Sequence, residues 1–134
     1  MSKPSNPKDA LGIRRTPFHL LPWPVLGELA LALLEGALKY GASNWRTIGV
    51  RGSVYVSAAM RHVAQYEEGE DVDPDSGVHH LTKAIACLVI MRDAQRLGRF
   101  VDDRRPSSPS GWMASLNQTA SCLIDANPEP PEPF

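Results

Sequence analysis

The segment GVHHLTKAIACLVIMRDAQRLG, residues 77–98, decides how the chain is read. Its interior, AIACLVIM (84–91), is apolar around the whole circumference of a helix, and Gly98 supplies a stop. Asp75 or Ser76 is the expected cap. A helix apolar on every side is surrounded by others, and a chain of 134 residues has few to offer. The expectation is an all-α helical bundle completed by oligomerisation, as a homodimer or homotetramer.

Toward the N terminus, SVYVSAAMRHVAQYEE (53–68) predicts a helix capped by Ser53 and ending near Gly69. PVLGELALALLEGALKY (24–40) predicts another, with Pro24 in its first turn and Gly41 as its stop. Residues 1–23 hold NPKD, RRTPFHL and LPWP, an arm in which prolines recur too often for regular helix. Beyond Arg99, WMASLNQTASCLI (112–124) reads as a short helix or as an arm laid across a neighbour. The final PEPPEPF (128–134) reads as extended or disordered. The expected organisation is one domain over 1–105, N-terminal arm included, and a C-terminal arm or tail over 106–134.

A net charge of -1 and a pI near 6.4 carry no nucleic-acid footprint, although local charge can still bind a charged metabolite. Cys87 and Cys122 fit neither a CxxC motif nor a thiolate zinc site. No stretch approaches the apolar length of a membrane span and the first residues lack a signal core, so a soluble intracellular protein is expected.

Chemistry concentrates in YEEGEDVDPDSGVHH (66–80), where six carboxylates fall within the nine positions from Glu67 to Asp75. Crowded carboxylates repel unless a divalent cation relieves them, and hard oxygen donors suit Mg²⁺ or Mn²⁺. A solvated acidic loop is the alternative. Glu35 lies on a largely apolar helix and needs a cation or hydrogen-bond partner; Glu28, near that helix's start, reads as a terminal carboxylate. The steps Val56, Met60, Val63, Glu67 place Glu67 at the end of an apolar stripe. Asp75, His79 and Lys83, at intervals of four, line one face if the helix starts early enough, and this favours His79 over His80. His62 reads equally as packing or chemistry. Lys39, Arg61 and Lys83, with Lys8, Arg14 and Arg15 in the arm, either neutralise acids or bind phosphates. Trp23 and Trp45 offer apolar platforms for a base.

Taken together, NPKDALGIRRTPFHLLPWPVLGELALALLEGALKYGASNW and AMRHVAQYEEGEDVDPDSGVHHLTKAIACLVIMRD closely resemble the phage dATP/dGTP diphosphohydrolases of the MazZ group, within the MazG-like all-α nucleoside triphosphate pyrophosphatases. The resemblance covers roughly residues 6–105, and KYGxxNW with GEDxDxxSGxxH carries it. It implies hydrolysis of a purine deoxynucleoside triphosphate, dGTP in preference to dATP, to monophosphate and pyrophosphate with two or three Mg²⁺ or Mn²⁺ ions. It implies action in the cytoplasm of an infected host cell, in viruses that replace adenine by 2-aminoadenine. In that reading Glu35, Glu67, Glu70 and Asp75 hold the ions and His79 ligates metal or binds phosphate. Lys39, Arg61 and Lys83 add positive charge, and Asn44 and Trp45 close the pocket. The broader ExxE and ExxD pattern is incomplete: Leu38 stands three positions after Glu35, and Asp75 and His79 stand where ExxD would be. The rival readings are a metal-dependent triphosphohydrolase and a non-enzymatic helical oligomeric module.

Overall fold

The computed structural model describes residues 6–129, 131 and 132. The chain divides into two compact units, residues 1–103 and residues 104–134. In the first, α1 (Pro7–Gly12), α2 (Trp23–Tyr40), α3 (Gly52–Glu67) and α4 (His80–Arg96) follow in order, with short 3-10 turns at Phe18–Leu20 between α1 and α2 and at Asn44–Arg46 between α2 and α3. Two short strands, β1 (Val50–Arg51) and β2 (Phe100–Val101), pair in parallel, Val50 opposite Phe100. The second unit holds α5 (Trp112–Ala126). The chain is thus an all-α bundle, five α-helices among the described residues. No helix there is long and apolar enough to cross a membrane.

The N-terminal arm is more regular than its prolines suggested. Pro7 occupies the first turn of α1, where a missing N–H costs nothing, and the Asn6 side chain accepts from the Lys8 N–H at 2.9 Å. Helix α2 ends where expected: the Gly41 N–H donates to the Ala37 carbonyl at φ +93°.

Helix α3 begins at Gly52, and Ser53 is not its cap. Asp103 takes that part from a distance, accepting from the Ser53 N–H at 2.8 Å and from the Ser53 hydroxyl. Gly52 is required because a Cβ there would stand 2.6 Å from the Phe100 ring. Helix α4 starts at His80, with His79 as N-cap through Nδ1, which accepts from the Leu81 N–H at 3.1 Å. Asp75 and Ser76 therefore lie outside the helix, and the Asp75–His79–Lys83 row dissolves: only Lys83 is helical.

Helix α4 packs against both α2 and α3. The packing faces are made of small residues: Ala32, Ala59, Ala84, Ala86 and Ala94 are buried. The stripe Val56, Met60, Val63 is exposed, Met60 by 66%, so Glu67 ends an outward face. Leu31, Leu34 and Leu38 on α2 and Leu88 on α4 are also exposed. In the second unit, Trp112, Met113, Leu116, Leu123 and Ile124 of α5 are exposed as well. The tail expectation for PEPPEPF falls outside the described residues at 130, 133 and 134.

Candidate functional site

The acidic stretch folds into a closed loop between α3 and α4. Pro74, Asp75, Ser76 and Gly77 are turn formers, and Val72 and His79 pair across them as an antiparallel bridge. The Asp73 N–H donates to the Val78 carbonyl at 3.0 Å and the Gly77 N–H to the Asp73 carbonyl at 2.8 Å. The Asp73 carboxylate accepts from the Asp75 N–H at 2.9 Å, and the His80 N–H donates to the Asp71 carbonyl at 2.8 Å. These bonds turn Asp73 toward the start of α4.

His62 of α3, Asp73 of the loop and His80 of α4 converge there, one donor atom from each lying within 4.8 Å of the others. His80 is the largest fully buried side chain among the described residues. Its Nε2 is 2.7 Å from Glu70 Oε1 and its Nδ1 is 2.9 Å from His62 Nδ1. Burial pushes the His62 imidazole below its ordinary pKa, with Asp73 pulling the other way and His80, Lys83 and Arg61 adding to the depression. A neutral imidazole is the form that ligates metal. Two imidazole nitrogens and a carboxylate oxygen are a competent donor set for a divalent cation.

A second cluster lies between α2 and α4. The Glu35 carboxylate meets the Lys83 ammonium at 2.7 Å and pairs with Lys39, one turn along its own helix. Hydrogen bonds from Lys39 and Lys83 hold the Glu35 carboxyl below the usual carboxylate range, against the opposing pull of burial, and Glu35 raises Lys39 in turn. Asp75 also raises Lys39, and Lys83 acts on His62, so the two clusters share one electrostatic neighbourhood. A little further along, the Thr82 hydroxyl donates to Glu28 at 3.2 Å. A carboxyl depressed on folding contributes its stability fully above its ordinary value of 4.5 and loses it as pH falls through the folded-state value. Thermal midpoints followed from about pH 6 to pH 3 should therefore drop more steeply for the wild type than for Glu35→Gln.

The other residues singled out from the sequence are more dispersed. Lys8 on α1, with Arg14 and Arg15 after it, is exposed, as are Trp23 at the start of α2, Arg61, Glu67 and Asp75. Glu70 is about half exposed and meets His80. His79 caps α4 and tilts against the Tyr66 ring, centroids 5.8 Å apart. The Asn44 carbonyl accepts from the Ile48 N–H at 2.9 Å within its turn. Trp45 donates its indole N–H to Asp93 at 2.7 Å, and Arg46 grips the same carboxylate through two bonds of 2.8 and 2.9 Å. Both flank a cleft of about 420 Å³ that Leu33, Ala37 and Val89 also line.

Reasoning from residue spacing did not single out Asp73 and passed over His80. The usable signal was the turn sequence PDSG between two valines: a hairpin there delays the helix to His80 and brings Asp73 alongside it.

Residues 5–104 match the family described as dATP/dGTP diphosphohydrolase, N-terminal. The chain is also 31% identical, over 102 residues, to a protein of Salmonella phage PMBT28 described as a dATP/dGTP diphosphohydrolase. That alignment takes in 76% of this chain and 32% of the relative, so the chain spans about a third of the length of the curated relative it matches. No solved structure matches the chain.

Proposed function

The chain belongs to the dATP/dGTP diphosphohydrolase N-terminal family, and from that premise we propose that it is a metal-dependent hydrolase converting a purine deoxynucleoside triphosphate, dGTP or dATP, to its monophosphate and pyrophosphate. The observation that carries the metal-dependent part is the convergence of His62, Asp73 and His80. His62, Asp73 and His80 would hold a divalent ion, which would supply Lewis-acid polarisation of a phosphoryl oxygen and lower the pKa of a water. Lys39 and Lys83 stand ready to take phosphate charge, and Glu35 holds both ammonium groups in place until they do. Glu67, Glu70, Asp75 and His79 shape the acidic rim. Lys8, Arg14, Arg15 and Arg61 raise the local concentration of the anionic substrate, and Trp23 at the start of α2 or, beyond its far end, Asn44 and Trp45 offer a platform for the base. The domain is residues 1–105, with 106–134 an appended arm, and the enzyme acts in the cytoplasm of an infected host cell.

Product-resolved chromatography after incubation with dGTP or dATP and Mn²⁺ tests this reading. Monophosphate with pyrophosphate is expected. Nucleoside with intact triphosphate would instead make the protein a triphosphohydrolase, and no turnover with Mn²⁺ or Mg²⁺ would leave an interaction module.

The same reading includes a homo-oligomer. Among the described residues, the buried apolar side chains of the first unit are five alanines and one valine, with Leu34, Leu38, Val56, Met60 and Leu88 exposed, which leaves much of its hydrophobic driving force unused. Sedimentation velocity at micromolar concentration should show a dimer or tetramer, and Met60→Glu with Leu38→Glu should shift it toward monomer. A wild-type monomer at all concentrations would refute the oligomer.

A further inference from the structure

We propose that His62, Asp73 and His80 form a site for a single six-coordinate transition-metal ion, both histidines binding through Nδ1, with Glu70 as a positioning residue that acts through His80. The inference rests on the metal-dependent reading above and narrows it to one ion, a metal class and a role for Glu70.

The Glu70 contact fixes the chemistry of His80. An ionised carboxylate only accepts hydrogen bonds, so at 2.7 Å the His80 Nε2 carries the proton and donates it to Glu70. In the neutral ring Nδ1 then presents a lone pair, and it presents it toward His62 and Asp73. Carboxylate, histidine and metal in series is the usual way a protein fixes the orientation and basicity of a ligating imidazole. Glu70 therefore belongs behind the ligand, and its side chain is about half exposed while the ring it holds is fully buried.

The spacing is compatible with one coordination geometry. Two nitrogens each about 2.1 Å from a shared ion, and 2.9 Å apart as here, subtend roughly 90°, whereas a tetrahedral pair would stand about 3.4 Å apart. An angle near 90° belongs to octahedral coordination, with remaining positions open to water or phosphate oxygens. An N–H···N hydrogen bond between the two rings gives the same separation without an ion, and this is the rival to exclude. Imidazole donors in a six-coordinate site favour Fe²⁺, Co²⁺ or Ni²⁺ over Mg²⁺, which prefers oxygen and keeps its waters. The Glu35 carboxylate, by contrast, is met by the Lys39 and Lys83 ammonium groups.

The test uses the full chain, freed of metal by chelation and titrated with Co²⁺ while visible absorption is recorded. One Co²⁺ per chain is expected, with the weak bands of six-coordination, surviving a large excess of Mg²⁺. Glu70→Gln should weaken Co²⁺ binding by about 10- to 100-fold with the stoichiometry and band shape kept, and Glu70→Asp should recover part of the loss. His62→Asn should change the band shape itself, and circular dichroism checks that each variant is folded. Intense tetrahedral bands, displacement by equimolar Mg²⁺, no Co²⁺ uptake, or an unaltered Glu70→Gln titration would overturn the proposal. Hydrolysis supported by Mg²⁺ without Co²⁺ binding would sink this site and spare the hydrolase. Co²⁺ binding as described without any triphosphate turnover would do the reverse.

Discussion

Replacing Asp73 by asparagine is expected to lower the proposed hydrolysis of purine deoxynucleoside triphosphates by about a thousandfold, ~4 kcal/mol of barrier, with the fold intact. The two side chains are nearly isosteric and differ in charge. Asparagine keeps the side-chain oxygen that accepts from the Asp75 N–H at 2.9 Å, so the closed loop loses no hydrogen bond. It loses the negative charge, and with it the one anionic donor among the three converging side chains. Steady-state turnover, read beside the circular-dichroism melt, separates the two. Activity within a few-fold of wild type would remove Asp73 from the reaction.

Lys83→Met should be the next most damaging change, lowering kcat/KM of the proposed reaction by about a hundredfold through loss of the phosphate contact proposed for Lys83. Lys83 sits on α4 three residues beyond His80, and Glu35 holds its ammonium at 2.7 Å from α2. If Glu35 acts by aiming Lys83, the Glu35→Gln and Lys83→Met defects will not add, and the double variant will be little worse than Lys83→Met alone. Full additivity of the two losses would give Glu35 a separate part in the reaction.

Helix α2 and its Gly41 stop were legible because an apolar run, an early proline and a left-handed glycine agree with one another. The interior of α4 was legible for the same reason. Its start was not, since histidine is an uncommon cap and the pair His79–His80 continues a helical pattern in print. That three-residue difference reassigns the faces of the residues before it. On α3 the face was misjudged for another reason: size was taken as the mark of burial, while the helices meet through alanines and hold the larger side chains outward. Glu35's need for a cationic partner was readable from its apolar surroundings, and the partners are lysines. The donor cluster itself depends on a hairpin that composition hides beneath its acidity.

The parallel pairing of Val50 with Phe100 orders events during folding. It joins residues fifty apart and must wait for that loop to close, whereas His62, Glu70, Asp73 and His80 span nineteen residues of one helix–loop–helix. The ligand-bearing hairpin can thus take shape first, and the strand pair, with Asp103 reaching Ser53 beside it, acts as a late clasp that locks α3 after its chemistry is already assembled.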